Sequence, residues 1–206
     1  MRFLIVGDSP DFEHDTVLRL ALPGVHVVAL DGAALKLPSG ISPEIVCGDF
    51  DSLDTSASRK RFPGAEHTLL EDQNENDLEK AIRLALQRGA QEIMMCCVLG
   101  GLPDQHSANL SVIHRHHESA LLRAFHRGME CRVASPNRDF RAKLPEGKVV
   151  STIPAGEEVR GSISGVRWPL TDGLLRMGSH GVSNVSLGGD VEVSPTRGAV
   201  FVFFEA

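Results

Sequence analysis

The sequence contains no apolar run that approaches the length of a membrane span, and its formal net charge at pH 7 is −6. A transmembrane helix needs about 20 largely apolar residues, and binding to nucleic acid depends on clustered Lys and Arg side chains. A membrane protein and a nucleic-acid-binding protein are therefore both disfavoured. The apolar run in MRFLIVGDSP is too short for a secretory signal peptide, and we expect a cytoplasmic location.

The chain also lacks CxxC spacing and the usual glycine motifs for phosphate binding. Neither GxxxxGK[ST] nor GxGxxG occurs, so a bound nucleotide needs another grip on its phosphates, such as metal ions. No GxSxG sequence occurs, which leaves covalent acyl transfer with little support. The cysteines are Cys96 and Cys97, adjacent in IMMCCVLG, and Cys47 and Cys131, which end other apolar runs; this placement predicts buried free thiols.

The composition is that of an ordinary globular protein, with 42% hydrophobic and 23% charged residues among 206. The first two-thirds alternates short apolar runs with helical patterns, which predicts an α/β domain with a largely parallel sheet flanked by helices. The runs that predict strands are RFLIVG, VHVVAL, EIVCG, HTLL, EIMMCCVLG and CRVAS. Apolar residues at helical spacing predict a helix from Glu75 to Arg88, ended by Gly89.

The pattern changes near residues 136–141. Beyond them the sequence has short runs rich in Val, Ile, Ser and Thr, broken by Gly and Pro, with no sustained helical period. Such a pattern is typical of an all-β domain. We therefore predict an α/β domain over residues 1–137 and a smaller all-β sandwich domain over residues 138–206.

Carboxylates recur where the predicted strands end. Asp31 follows VHVVAL, Asp49 and Asp51 follow EIVC, Asp77 comes after HTLL, and Asp104 comes after EIMMCCVLGG. Ligands of open α/β sheets bind outside the carboxyl ends of the strands, so these side chains are expected to share one edge. Like charges that converge repel unless a cation is present, and carboxylate oxygens suit Mg²⁺. We therefore favour a magnesium site for the first four of these aspartates.

Spacing suggests how neighbouring side chains share a face. Asp49 and Asp51 lie two apart, so extended backbone would send both to one side and Phe50 to the other side, into packing. Asp77 and Lys80 lie three apart at a helix start and share a helical face. This second pair is either a metal-facing carboxylate beside a phosphate-facing ammonium or a solvated ion pair of the helix surface; its position at the sheet edge favours the first.

Three other features have plainer interpretations. Asp54 is best interpreted as a helix cap rather than as a metal ligand. His114 and His117 share a helical face, but a solvated surface is favoured there over a zinc site. Trp168, the single tryptophan, is interpreted as an anchor in a core or at a domain junction rather than as a stacking platform.

Five segments resemble, in order, the motifs of the thiamine pyrophosphokinase family. They are ALDGAA, GDFDSLD, DQNENDLEKAI, GGLPDQHSANL and GVSNVSLGG, and together they span nearly the whole chain. The resemblance implies a nucleotide-binding catalytic domain followed by a β-sandwich domain for thiamine binding and dimerisation. It implies a Mg²⁺-dependent diphosphotransferase that moves diphosphate from ATP onto the hydroxyl of thiamine and releases AMP. The implied assembly is a homodimer with its active sites between the subunits.

The resemblance also implies roles for individual residues. Mg²⁺ ligands or groups that assist the hydroxyl would be Asp31, Asp49, Asp51 and Asp77. The catalytic set would be Asp49, Asp51, Asp77 and Lys80, with the proton acceptor left open between Asp49 and Asp51. ATP-binding residues would be Gly32, Lys80, Asp104, Gln105 and Asn109. Thiamine would contact Gln73, and Ser183 and Asn184 from the other subunit.

Three positions depart from the family pattern. Leu102 stands where the family usually has Arg, Asn76 replaces Thr, and Ala33 replaces a second Gly. The loss of Arg removes a phosphate or loop-ordering contact, which leaves open slower turnover, compensation by a cation such as Arg138 or Arg167, or a shifted substrate. Two alternatives therefore stay open: a diphosphokinase for another hydroxymethyl heterocycle such as a pterin, and a non-catalytic homologue that binds thiamine or a nucleotide.

Overall fold

The computed structural model describes residues 1–51, 53–72 and 74–205, which divide into two compact units. The first unit is Met1–Arg127 and the second unit is Gly128–Ala206. The sequence placed the division later, after residue 137, because CRVAS looked like a last strand of the α/β domain. That segment instead belongs to the second unit, since it pairs antiparallel with the strand Val200–Glu205.

Strands and helices alternate through the first unit. In chain order they are β1 (Arg2–Val6), α1 (His14–Leu20), β2 (Val25–Leu30), α2 (Ala33–Lys36), β3 (Ile45–Gly48), α3 (Thr55–Arg61), β4 (Glu66–Leu69), α4 (Asp77–Gln87), β5 (Glu92–Cys96), α5 (Pro103–His116) and β6 (Leu121–His126). The strands lie in the order β6-β5-β1-β2-β3-β4, and every neighbouring pair is parallel. The predicted α/β fold with a parallel sheet and flanking helices is confirmed.

Burial along β1 explains why the sequence of this strand is a continuous apolar run. Leu4, Ile5 and Val6 are consecutive and each is 0% exposed. A strand with one face in water would expose every second side chain, so both faces of this strand are covered. The four cysteines are free and buried as predicted, and burial raises the pKa of Cys47 to about 12.

Helix α4 follows its sequence signals closely. Asn76 is the N-cap, and its Oδ1 accepts the Glu79 N–H at 3.0 Å. The helix ends before Gly89, whose φ of +82° lies in the left-handed region that a glycine tolerates best. The predicted helix is therefore confirmed, two residues shorter at its start. Strand β6, by contrast, was absent from the predicted strands, because LLRAFH carries no clear alternation.

The second unit is built from strands alone in the part of it that the structure describes. They are β7 (Met129–Ala134), β8 (Phe140–Leu144), β9 (Val149–Pro154), β10 (Glu158–Ser164), β11 (Leu170–Arg176), β12 (Asn184–Val185), β13 (Gly189–Arg197) and β14 (Val200–Glu205). They form one layer ordered β12-β9-β14-β7 and another ordered β11-β10-β13-β8. Val150 and Val202 of one layer share a core with Ile163 and Val193 of the other, which confirms the predicted all-β sandwich. Among the described residues of both units, no helix combines the length and the apolar character that crossing a bilayer requires.

Candidate active site

Three aspartates meet at the carboxyl edge of the sheet in the first unit. Asp31 directly follows β2, and Asp49 and Asp51 follow β3, which is the neighbour of β2. Each offers one carboxylate oxygen, and these oxygens all lie within 4.8 Å of one another. Asp31 is 5% exposed, whereas Asp51 faces solvent. The structure thus brings together three of the four aspartates that we assigned to magnesium.

The close approach of β2 and β3 depends on a glycine. Gly48 has φ +157°, and a Cβ built on it would stand 3.0 Å from the Cβ of Asp31. Asp31 itself has φ +27°, so the chain turns sharply at this point. A larger residue at position 48 would push against Asp31, because a contact of 3.0 Å is shorter than ordinary packing permits.

Asp49 and Asp51 converge through a turn and not through extended backbone. Phe50 between them has φ +60°, which corrects the expected strand-like alternation. The N–H of Asp51 donates to Oδ1 of Asp49 at 3.2 Å, which closes the turn. Phe50 packs against the core of the first unit, as expected. The negative charge of Asp49 raises the pKa of Asp51 above its usual range, and this repulsion marks a place that favours a cation.

Asp77 and Lys80 lie in the first turn of α4 and share a face, as their spacing predicts. The Nζ of Lys80 donates to Oδ1 of Asp77 at 3.3 Å and to the carbonyl of Leu70 at 3.0 Å. Lys80 is 6% exposed, so this is not the solvated surface pair of the alternative interpretation. Asp77 is not one of the three aspartates whose oxygens meet within 4.8 Å, although it lines the same cavity.

These side chains line a cavity of about 410 Å³. This volume lies within the range of roughly 300–1,000 Å³ found for small-molecule sites. Among the described residues that line it, one ammonium, Lys80, faces six carboxylates. The carboxylates are Asp8, Asp31, Asp49, Asp51, Glu75 and Asp77. So acidic a cavity suits a polyphosphate only together with metal cations.

The start of α5 forms another part of the cavity wall. Leu102 is the N-cap residue, makes no side-chain capping hydrogen bond and is 64% exposed. Gln105 and Asn109 also line the cavity. Asp104 is exposed, and its Oδ1 accepts the N–H of Gln105 at 2.9 Å. The residue that replaces the family's Arg is therefore an exposed side chain at the cavity itself.

Asp8 is a cavity residue that the sequence analysis missed. It follows β1, and its Oδ1 forms an ion pair with Nζ of Lys36 in α2. A Cβ on Gly32 would lie 2.6 Å from Oδ2 of Asp8, so the glycine leaves room for this carboxylate. Gly32, assigned to ATP by resemblance, thus lies against Asp8. The rule that found Asp31 and Asp49, a carboxylate directly after a strand, would have found Asp8 as well.

One of the two predicted thiamine residues of the second unit, Asn184, lies beside an exposed tryptophan. Asn184 is 6% exposed; its Oδ1 accepts the N–H of Trp168 at 3.1 Å, and its Nδ2 donates to the Trp168 carbonyl at 2.8 Å. Trp168 is 60% exposed and lines a cavity of about 260 Å³ with Asn184 and His180. The interpretation of Trp168 as an anchor in a core is therefore wrong, while its interpretation as an anchor at a domain junction stays a prediction. Ser183 has φ +58°, and its N–H donates to Ser151.

Four other residues singled out by the sequence are Gln73, Arg138, Arg167 and Asp54. Gln73 lies outside the described residues. Arg167 places its guanidinium over the Trp168 ring at 5.6 Å, and Arg138 exchanges backbone hydrogen bonds with Ser135, both within the second unit. Asp54, predicted to be a cap, is the N-cap of α3, and its Oδ1 accepts the N–H of Ala57 at 2.9 Å, which confirms that interpretation.

The histidines of α5 contact one another and nearby acids. The rings of His114 and His117 stack at 5.3 Å, and Nε2 of His117 lies 3.1 Å from Glu118. Burial, together with the charge of His117, lowers the pKa of His114. His116 and Arg115 instead bond Oε1 of Glu79 on α4.

Comparisons with known proteins agree with this architecture. Residues 24–122 match the family model described as thiamin pyrophosphokinase, catalytic domain, and residues 136–200 match the model described as thiamin pyrophosphokinase, vitamin B1 binding domain. Over 153 residues the chain is 24% identical to the thiamine pyrophosphokinase of Bacillus subtilis strain 168, covering 72% of this chain and 71% of that protein.

Solved structures share the fold over the full chain. The crystal structure of thiamine pyrophosphokinase from Bacillus subtilis superposes with a TM-score of 0.87 at 20% identity, covering 100% of this chain and 99% of that one. The structure of thiamin pyrophosphokinase from Geobacillus thermodenitrificans gives a TM-score of 0.87 at 22% identity, with coverage of 100% and 98%. Because the two domain models match successive segments that make up most of the sequence, the chain belongs to the thiamin pyrophosphokinase family of enzymes.

Proposed function

We propose that this protein transfers diphosphate from ATP to the hydroxyl of thiamine, giving thiamine diphosphate and AMP, in a reaction that requires Mg²⁺. One observation carries the proposal: three aspartate oxygens within 4.8 Å share a cavity with a buried lysine, inside the segment that matches the catalytic-domain model. The match to a vitamin B1 binding domain over residues 136–200 supports thiamine over a pterin as the alcohol.

The donor set of the cavity fits Mg²⁺. All the converging atoms are carboxylate oxygens, and Mg²⁺ is bound by a small number of protein carboxylates together with phosphate oxygens and water. In this proposal Asp31, Asp49 and Asp51 hold the metal, and Asp77 lies beside them. When bound, Mg²⁺ neutralises the charge of the phosphates and of the transition state.

The protein side chains position the reactants and move one proton. The alcohol oxygen of thiamine forms a bond to the β-phosphorus of ATP, while the bond from that phosphorus to the oxygen bridging to the α-phosphorus breaks. The bridging oxygen and its electron pair leave with AMP. Lys80 holds the phosphates in line for this displacement, and Asp49 or Asp51 accepts the alcohol proton.

The nucleotide and thiamine sites use the residues named by resemblance. The nucleotide site comprises Gly32, Lys80, Asp104 and Gln105, and Asn109, which the resemblance also assigns to ATP, lines the cavity beside Lys80 and Gln105. Thiamine contacts Gln73 together with Ser183 and Asn184 of the partner subunit, in a homodimer with active sites between the subunits. Asn184 holds the backbone of Trp168, and the exposed Trp168 ring supports stacking on the cationic thiazolium of thiamine.

Product analysis tests the proposal directly. Purified protein is incubated with thiamine, ATP and Mg²⁺, and the nucleotide and thiamine products are separated by chromatography. We expect AMP and thiamine diphosphate in equal amounts. ADP with thiamine monophosphate would contradict diphosphate transfer, and AMP release with a hydroxymethyl pterin but not with thiamine would support the other diphosphokinase. Thiamine binding without ATP consumption would indicate a non-catalytic homologue.

A further inference from the structure

A chain of amide hydrogen bonds connects α4 to α5 beside the cavity. Nδ2 of Asn76 donates to Oδ1 of Asn109 at 2.8 Å, and Nδ2 of Asn109 donates to the carbonyl of Val98 at 2.6 Å. Oδ1 of Asn76 meanwhile accepts the N–H of Glu79 as the cap of α4. These hydrogen bonds therefore connect the segment after β5 to α5, and α5 to the first turn of α4.

The helix turn held in this way carries two of the proposed active-site residues. Asp77 directly follows Asn76, and the N–H of Lys80 donates to the carbonyl of Asn76 at 3.2 Å. Asn76 and Asn109 both line the cavity. A shift of Asn76 would move Asp77 and Lys80 together, because they belong to the same hydrogen-bonded turn.

The side chain of Asn76, which stands where the resemblance leads us to expect Thr, makes two different hydrogen bonds at once. An amide has separate accepting and donating atoms, so Asn76 caps α4 with its oxygen and reaches Asn109 with its nitrogen. A threonine hydroxyl would have to do both with one oxygen on a shorter side chain. This departure from the family pattern is thus coupled to a specific contact with α5.

We propose that Asn76 and Asn109 are positioning residues that fix Asp77 and Lys80 in the cavity, and that Asn109 acts through Asn76 and not by binding the nucleotide. The inference rests on the proposed function for its kinetic consequence. Both polar atoms of the Asn109 side chain already have protein partners within 2.8 Å, which favours an internal role. This positioning role replaces the ATP-binding role that the resemblance implied for Asn109.

A double-mutant cycle distinguishes the two roles. Asn76→Ser keeps a capping oxygen but is too short to reach Asn109, and Asn109→Ala removes both amide contacts. We expect each variant to lower kcat about three- to tenfold with the KM for ATP nearly unchanged, since a net hydrogen bond contributes about 0.5–1.5 kcal/mol. The double variant should be no slower than the slower single variant, because both break the same connection.

Other kinetic outcomes would overturn the inference. If Asn109 binds the nucleotide, Asn109→Ala raises the KM for ATP, Asn76→Ser does not, and their effects multiply in the double variant. Arg115→Gln is a matched control. Arg115 also joins α5 to the first turn of α4, through its hydrogen bond to Glu79, but its side chain is largely exposed. It should change kcat by less than about twofold. If Asn109→Ala does not fold, Asn109→Ser takes its place in the cycle, because a serine at position 109 is likewise too short to keep the contacts with Asn76 and Val98.

A measurement without substrates separates this inference from the proposed function. Amide hydrogen exchange at Glu79 and Lys80 reports how firmly the first turn of α4 is held. We expect Asn109→Ala to speed exchange there by about tenfold. Unchanged exchange would refute the positioning role, even if the wild-type protein makes thiamine diphosphate. Faster exchange in a protein that releases no AMP would support the positioning role while the proposed reaction fails.

Discussion

Replacing Lys80 by methionine removes the single positive charge found among the described residues that line the cavity. Methionine keeps most of the length and the apolar stem of lysine, so it fills the same space, where the lysine is 6% exposed. The change therefore isolates the ammonium group. In the free protein that group bonds Asp77 and the Leu70 carbonyl, and in the proposed complex it holds the phosphates of ATP.

The expected losses differ between activity and stability. A hydrogen bond to a charged group contributes about 1.5–3 kcal/mol, so losing the phosphate contact should lower kcat/KM for ATP about 10- to 150-fold. The carboxylate of Asp77 is 31% exposed and stays hydrated when its partner is removed. The free energy of unfolding should therefore fall by only about 1–2 kcal/mol, less than for a fully buried pair.

Two measurements test this reasoning. Steady-state AMP formation with ATP varied at saturating thiamine and Mg²⁺ gives kcat/KM, and urea titration gives the free energy of unfolding. Lys60→Met is the matched control, since Lys60 is exposed on α3, and its kcat/KM should match the wild-type value. A loss below about threefold in Lys80→Met, with the protein folded, would refute a phosphate role for Lys80.

Three further results are expected. Asp49→Asn should raise the Mg²⁺ concentration for half-maximal activity about tenfold, whereas Asp54→Asn, which keeps a good cap, should not; equal responses would contradict the metal assignment. Trp168→Ala should raise the KM for thiamine about tenfold without raising that for ATP, and an unchanged KM for thiamine would exclude stacking. Because burial and the charge of His117 lower the pKa of His114, the unfolded chain binds more protons at this position, and the free energy of unfolding should rise with pH up to about 6.5. Urea titrations across that range should show a shallower pH dependence in His114→Gln, and identical slopes would refute the effect.

Local patterns in the sequence were sufficient to predict several features of the site and its neighbourhood. The cap at Asp54 and the face shared by Asp77 and Lys80 depend on neighbours within one helical turn, and the structure confirms both. The strand ends that carry Asp31 and Asp49 were identified because apolar runs and the polar residues after them are also local patterns.

Contacts between distant residues account for what the sequence analysis missed. CRVAS reads as one more strand of the first domain, and only its pairing with Val200–Glu205 assigns it to the second unit. LLRAFH has no diagnostic period, and its pairing with β5 makes it a strand. The sequence around Trp168 gave no sign that its ring is exposed. The backbone of Trp168 is held by the side chain of Asn184, which lies 16 residues away in the sequence.

From the amino-acid order alone, we could read which kinds of side chain stand at the ends of the strands, and therefore that an acidic, metal-dependent site was the best hypothesis. Folding was needed to bring Asp31 and Asp49 close together and to turn Phe50 so that Asp51 joins them. The reason is physical: the chemistry of a side chain belongs to its residue, whereas the distance between two carboxylates depends on which strands pair and on how the backbone turns after them.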